Sequence, residues 1–300
     1  MKQLIVNADD FGYTRGVNEA IVEAHARGIV TSTSLMANGP AFEDAVERAK
    51  DEPGLDIGCH LNFVEGLPVS APSQIPHLVG ANGRFHSAAE LAFRLVAGMV
   101  PADELERECT AQIEKLLGAG ISPSHIDTHK HTHLHPRVAS VAAEAAHRFS
   151  IGWIRRPFQN FRVPGVRGTA VQRVLGGSFN FLARPFERHV AGEGLCLPDY
   201  FTGFELTGKW TRRAIEDTLS DLPHGVTELM CHPGFYDADL AASPTRLKRQ
   251  RQIEFDIAAD ESLRVLAESL GVVLRDFRGV PAATLQISRT AMEASSAGRV

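Results

Sequence analysis

Lys2-Gln3-Leu4-Ile5-Val6-Asn7-Ala8-Asp9-Asp10 opens the chain with an apolar run that ends on two adjacent carboxylates. Such a short apolar run, Lys2–Ala8, reads as a strand. Val17, Ile21, Val22 and His25 follow at helical spacing, and Gly28 stops them. Outward from this strand–helix unit the alternation repeats. Strands are expected at 29–37, 55–61, 124–128, 151–155, 227–231 and 272–275. Helices are expected at 40–50, 88–99, 102–119, 136–149, 211–219 and 245–270. Repeated alternation of this kind predicts a parallel sheet with helices outside, as a barrel or as a doubly wound sheet.

Two regions break the pattern. Residues 62–86 carry Pro68, Pro72, Pro76, Gly80 and Gly83 and read as an irregular insert. A second insert spans about 158–207, whose Arg-, Gly- and Pro-rich part from Asn160 to Gly194 resists assignment. Without an internal repeat or a linker-like composition shift, one domain over 1–280 is expected. Residues 281–300 are expected to form a flexible tail.

The bulk properties exclude several classes. A formal net charge of −5 gives no electrostatic case for nucleic acid. Arg246, Lys248, Arg249 and Arg251 form the densest basic run, read as a solvated helix face. No apolar stretch approaches the ~18 residues needed to span a bilayer, and no secretory leader is read at the start. Four scattered cysteines without a C-x-x-C spacing suit a reducing cytoplasm. A homo-oligomer is left open.

The chemistry-bearing residues fall at strand ends. Asp9 and Asp10 follow the first strand, His60 the third, His129 the fourth, and His232 a late one. Active-site groups of parallel α/β folds gather at the carboxyl ends of strands. Two imidazoles and one carboxylate on a divalent ion leave positions open for water and a substrate oxygen. Such an ion polarises a carbonyl and acidifies water, as amide hydrolysis requires, and a second, unbound carboxylate can take the proton. Asp9 and Asp10 suit that division. In extended backbone, neighbours point to opposite sides, so one can face the ion and the other the nucleophile. Cys59 and Cys231 precede His60 and His232. The same alternation turns them away from the ion, as buried structural thiols.

Five segments then match a known family in order. They are Val6-Asn7-Ala8-Asp9-Asp10-Phe11-Gly12, Thr31-Ser32-Thr33-Ser34-Leu35-Met36, Gly58-Cys59-His60-Leu61, His125 to His133, and Met230-Cys231-His232-Pro233-Gly234. Together they resemble the YdjC-like carbohydrate deacetylases, which include chitooligosaccharide and hopanoid-biosynthesis-associated deacetylases. The resemblance implies a deformed (β/α) barrel that removes the acetyl group from an N-acetylglucosamine-type sugar, as an oligosaccharide or a glycolipid. It implies Asp10, His60 and His129 as ligands of one divalent ion, Zn2+ or Mg2+. It implies Asp9 as general base and His232 as the acid that protonates the leaving amine. Arg156 resembles a position that orients the carboxylates or binds sugar. His125, His131, His133 and His135 are left out of the ligand set, some of them as contacts to His129 or as lining of the sugar site, and Asp127 is expected to be structural, with support of the ligands as the alternative. Leu91, Leu95, Val96 and Met99 read as a core-facing helix stripe, with a lipid groove as the alternative. Two other functions remain open at this level: a non-haem iron oxygenase, and a metal-containing sugar-binding protein without catalysis.

Overall fold

In the computed structural model, the structure describes residues 1–163 and 182–279. The expected tail at 281–300 lies outside the described residues, as does the stretch 164–181 within the second insert.

The opening run is the centre of the sheet. β1 (Lys2–Phe11) pairs in parallel with β2 (Ser32–Leu35), β7 (Gly225–Cys231) and β8 (Val272–Leu274). The other strands are β3 (Asp56–Leu61), β4 (His125–Thr128), β5 (Trp153–Ile154) and β6 (Tyr200–Thr202), giving the order β5-β4-β3-β2-β1-β7-β6. Between them run α1 (Arg15–Arg27), α2 (Phe42–Asp51), α3 (Ala88–Val96), α4 (Ala102–Gly118), α5 (Pro136–Arg148), α6 (Ala183–Gly192), α7 (Arg212–Asp221), α8 (Ala238–Ala242), α9 (Arg249–Ala258) and α10 (Glu261–Ser269). The sheet curls, and its two edges approach. Beside β5, Ile154 N donates to Cys196 O at 3.0 Å and Cys196 N to Gly152 O at 2.9 Å, just before β6. The expected (β/α) barrel is therefore present in deformed, incompletely closed form.

Strand alternation sorts side chains into an inward and an outward set. The inward set is layered. Ile5, Trp153 and Val226 close the floor around Phe277, which arrives after β8. Asn7 and His125 lie above them, and Asp9, Asp127, Arg155 and Glu228 form the next layer, all buried. The outward set packs against the helices as the main hydrophobic core.

Three departures from the expected elements have local causes. The long helix expected at 245–270 is two, because Asp260 takes extended backbone and its side chain caps Ser262 N of α10. β6 and α6 fall where the sequence pattern blurs; β6 is only three residues long and offers no period to read. The apolar stripe of α3 is split. Leu91 and Leu95 are buried, whereas Val96 and Met99 are exposed.

The first insert is irregular, as expected, but it is anchored. Glu104, Glu108 and Gln112 recur every four residues along one face of α4 and are all buried. Glu108 accepts from Val69 N (2.9 Å) and Ser70 N (2.8 Å), Glu104 from His77 N (2.8 Å), and Gln112 bonds both N–H and C=O of Asn62. The insert's backbone donors thus find partners that a Pro- and Gly-rich segment cannot make for itself. Among the described residues, no helix is long and apolar enough to cross a membrane.

Gly58 marks the tightest approach inside the barrel. A Cβ there would stand 2.3 Å from Nε2 of His125. We expect Gly58→Ala to lower stability by about 1–3 kcal/mol through overpacking. A drop in thermal midpoint checks it; an unchanged midpoint would mean the His125 ring can move aside.

Candidate metal centre

Asp9 and Asp10 end the inward face of β1 on a distortion rather than on simple alternation. Asp10 has φ +70°, and the β1–β2 register shifts between Ala8 and Phe11. A left-handed residue in a bulged strand re-aims its side chain. Both carboxylates consequently meet the top of the barrel, where strict alternation would have sent them to opposite sides. The expectation that extended backbone divides their labour is thus corrected: the bulge does.

Asp10 faces two imidazoles. Its Oδ1 lies 3.3 Å from His60 Nε2 and 2.9 Å from His129 Nδ1, and the two ring nitrogens are 3.3 Å apart. His60 is inward-facing near the end of β3, and His129 is the first residue after β4. The turn that follows is strained: Lys130 (φ 55°) and His131 (φ 51°) are both left-handed without being glycine. Asp10 Oδ1 is buried and makes no well-formed hydrogen bond despite these close nitrogens. Three donors, a buried carboxylate oxygen and two imidazole nitrogens, converge on one point and fit a divalent cation.

Each ligand is oriented from outside. His60 Nδ1 contacts Asp127 Oδ1 at 2.8 Å, and Ser34 Oγ lies 3.2 Å from the same nitrogen. An anionic Asp127 holds the proton on Nδ1 and leaves Nε2 as the lone-pair donor. Asp10 Oδ2 accepts from the Arg251 guanidinium. Burial opposes ionisation of Asp10, but Arg251 and then His129 hold its carboxyl well below the usual range. Burial likewise opposes charge on His60, yet Asp127 and then Asp10 push it up to about 10.

Asp9 lies beside the Asp10–His60–His129 group rather than within it, with one of its oxygens within 4.8 Å of ligand atoms of His60 and Asp127. Arg155 grips it with both terminal nitrogens, Nη1 to Oδ2 at 2.7 Å and Nη2 to Oδ1 at 2.6 Å, while Asn7 Nδ2 donates to Oδ1 at 3.0 Å. His232 Nε2 stands 4.0 Å from Asp9 Oδ2. Burial, partly offset by Asp9, pushes His232 down to about 4. Its backbone N–H donates to the buried Glu254 Oε2 at 2.6 Å. Arg155 also donates from Nε to Glu228 at 2.7 Å and pairs with Asp127. Burial, against the pull of Arg155, pushes Glu228 up to about 7.

Asp9, Asp10, His60, His129 and His232 are therefore brought together, and Arg156 is not. Arg156 bonds Pro198 O (3.2 Å) and Glu187, away from the carboxylates; its neighbour Arg155 holds them. The signal was available in the alternation. Trp153 and Arg155 share the inward face, so Arg156 turns outward. Arg251 is a second correction. It belongs to the basic run read as a solvated face, yet it is 2% exposed and bonded to Asp10. A pairing 241 residues apart leaves no local trace. Of the remaining histidines, His133 bonds Thr128 Oγ1 (2.5 Å) and Arg155 O (3.2 Å), and His135 caps α5. His131 packs edge-on against Phe201 and Phe204. A cavity of about 610 Å³ near His25, Thr31 and Arg264 opens at the other end of the strands and holds no such ligand group.

A family model described as YdjC-like protein matches residues 3–269. A carbohydrate deacetylase of Brevibacillus brevis is 36% identical over 260 residues, covering 86% of this chain and 92% of that relative. One of Geobacillus stearothermophilus is 35% identical, covering 91% and 96%. A crystal structure from Enterococcus faecalis superposes with a TM-score of 0.76 at 27% identity, covering 92% of this chain and 98% of that one.

Because an entering cation must displace the His60 proton, metal affinity should climb with pH through the neutral range, with about one proton released per ion. Calorimetry in buffers of different ionisation enthalpy measures the release. Binding without proton release would mean that His60 is neutral in the ion-free protein.

Proposed function

The chain belongs to the YdjC-like protein family, and we propose that it is a carbohydrate N-deacetylase acting on an N-acetylglucosamine-type sugar, free or lipid-linked. The observation that carries the reading is the setting of Asp9. A carboxylate oriented by Arg155 stands beside the Asp10–His60–His129 group, with His232 Nε2 4.0 Å from its Oδ2. Names of relatives support sugar deacetylation; the choice of sugar rests on the family resemblance.

Asp10, His60 and His129 would hold one divalent ion, zinc or magnesium. Such an ion supplies carbonyl polarisation and acidification of water when bound. The chain's own groups supply the proton transfers. Asp9 accepts the proton of the attacking water through Oδ2, while Arg155 keeps the carboxylate from rotating. Burial keeps His232 neutral before reaction, so the proton taken up by Asp9 is the nearest source for charging it. His232 then delivers that proton to the departing sugar nitrogen. The amide C–N bond breaks, and acetate and a free amino sugar leave. The same proposal includes one domain over 1–280 working in the cytoplasm.

Metal-stripped protein with single ions restored should release acetate from N-acetylglucosamine, chitobiose or an acetylglucosaminyl lipid. Saccharide binding without acetate release would instead support a binding protein. Asp9→Asn should lower kcat by roughly 100- to 10,000-fold with metal content unchanged. Retained turnover would remove Asp9 from the base role. His60→Ala should lose the ion, as read by elemental analysis.

A further inference from the structure

His125 lies beneath the centre described above, fully buried, and neither of its ring-nitrogen contacts goes to a candidate ligand. Its ring stacks on Phe277 with centroids 3.9 Å apart, and it fills the space left by the missing side chain of Gly58. Its polar atoms are both engaged. Nε2 lies 3.1 Å from Asn7 Oδ1 and Nδ1 lies 2.9 Å from Ser124 Oγ. An apolar ring would fill the same space without the cost of burying two polar nitrogens. The question is what the polar ring does there.

The answer follows from donor and acceptor capacity. Asp9 is an acceptor only, so the Asn7 amide must turn its NH2 toward Asp9 Oδ1, 3.0 Å away. The same NH2 donates to Ser34 Oγ at 3.1 Å, and Ser34 Oγ donates onward to Asp127 Oδ2 at 3.1 Å. Asn7 Oδ1 then faces His125 and needs a donor, which only an Nε2–H imidazole provides. Ser124 Oγ, 2.9 Å from Nδ1, can donate to it in that tautomer, and its hydroxyl also reaches Ile57 O at 3.4 Å.

An amide is nearly symmetric in shape, and its two orientations are separated here by hydrogen bonding alone. Reversed, Asn7 would set a carbonyl oxygen against the Asp9 carboxylate. Ser34 would then be free to donate to Asn7, and Asp127, the partner of His60, would lose an acceptor bond. One buried donor thus biases two carboxylates at once.

We propose that His125 is a positioning residue: its Nε2–H completes the hydrogen bonding that holds the Asn7 amide, and through Asn7 it supports the direction that Arg155 gives Asp9 and the bonding of Asp127. The catalytic part of the proposal rests on the deacetylase reading; the tautomer part does not.

Two measurements test it. In ¹⁵N-histidine-labelled wild-type protein, His125 should be neutral with its proton on Nε2. A charged ring or an Nδ1–H tautomer overturns the proposal, whatever the enzyme's activity. His125→Phe keeps a ring on Phe277 and removes the donor. It should leave KM and metal content unchanged and lower kcat by about 10- to 100-fold, and His125→Gln, which restores an amide donor, should recover most of the loss. Unchanged kcat in a folded His125→Phe protein, or a loss that Gln does not recover, overturns it. Failure of wild-type protein to release acetate would count against the deacetylase reading alone.

Discussion

A single guanidinium holds the interior of this barrel together. Arg155 has no exposed surface, yet from the position just after the edge strand β5 it reaches Asp9 on β1, Asp127 on β4 and Glu228 on β7. Taking a cation out of water costs several kcal/mol, and only well-placed partners offset that cost. Here the fork-shaped donor meets one carboxylate through two nitrogens and two others through the remaining geometry. Arg155 also stands over the Phe201 ring of β6, 5.5 Å from its centroid. Strands far apart in the sheet order are thereby tied across the barrel. Their polar side chains can occupy an interior that barrel strands more often fill with apolar groups.

That arrangement leaves a particular charge balance. Arg155 and Arg251 serve the two adjacent aspartates separately, one for Asp9 and one for Asp10. With Asp127 and Glu228 included, four carboxyl groups meet two guanidinium groups, so negative charge remains in excess where the imidazole nitrogens converge. Against the cost of burial, the same excess, through Asp127 and then Asp10, pushes His60 up to about 10. A cation at the same place would relieve it without a proton. The left-handed backbone at Asp10 belongs to the same design, since it turns two consecutive carboxylates toward the same end of the barrel.

Helix α9 sets the other wall. Glu254 accepts from His232 N, Arg251 O from Gly234 N, and Gln252 from Tyr236 N, so alternate residues of the loop after β7 are fastened to one helix. The loop that carries His232 is therefore not free to swing away from Asp9. On the opposite side, the buried acids of α4 fasten the irregular insert in the same manner, by side chain to backbone.

The strand–helix alternation, the parallel sheet and the strand-end placement of Asp9, Asp10, His60, His129 and His232 were legible in the chain, because hydrophobic period and residue type are local properties. Five ordered segments also carried the family. The partners of those residues were not legible. Arg155 was passed over for Arg156, one residue away, although alternation along β5 would have separated them. Arg251 looked like surface charge, since nothing near it in sequence reveals that it will face Asp10. The expectation for the two aspartates failed at a bulge, a backbone distortion that alternation cannot anticipate. Sequence alone determined which groups are available and on which strand ends they stand. Only tertiary structure decided which charges neighbour one another, because burial in a shared interior joins residues that the chain keeps more than a hundred positions apart.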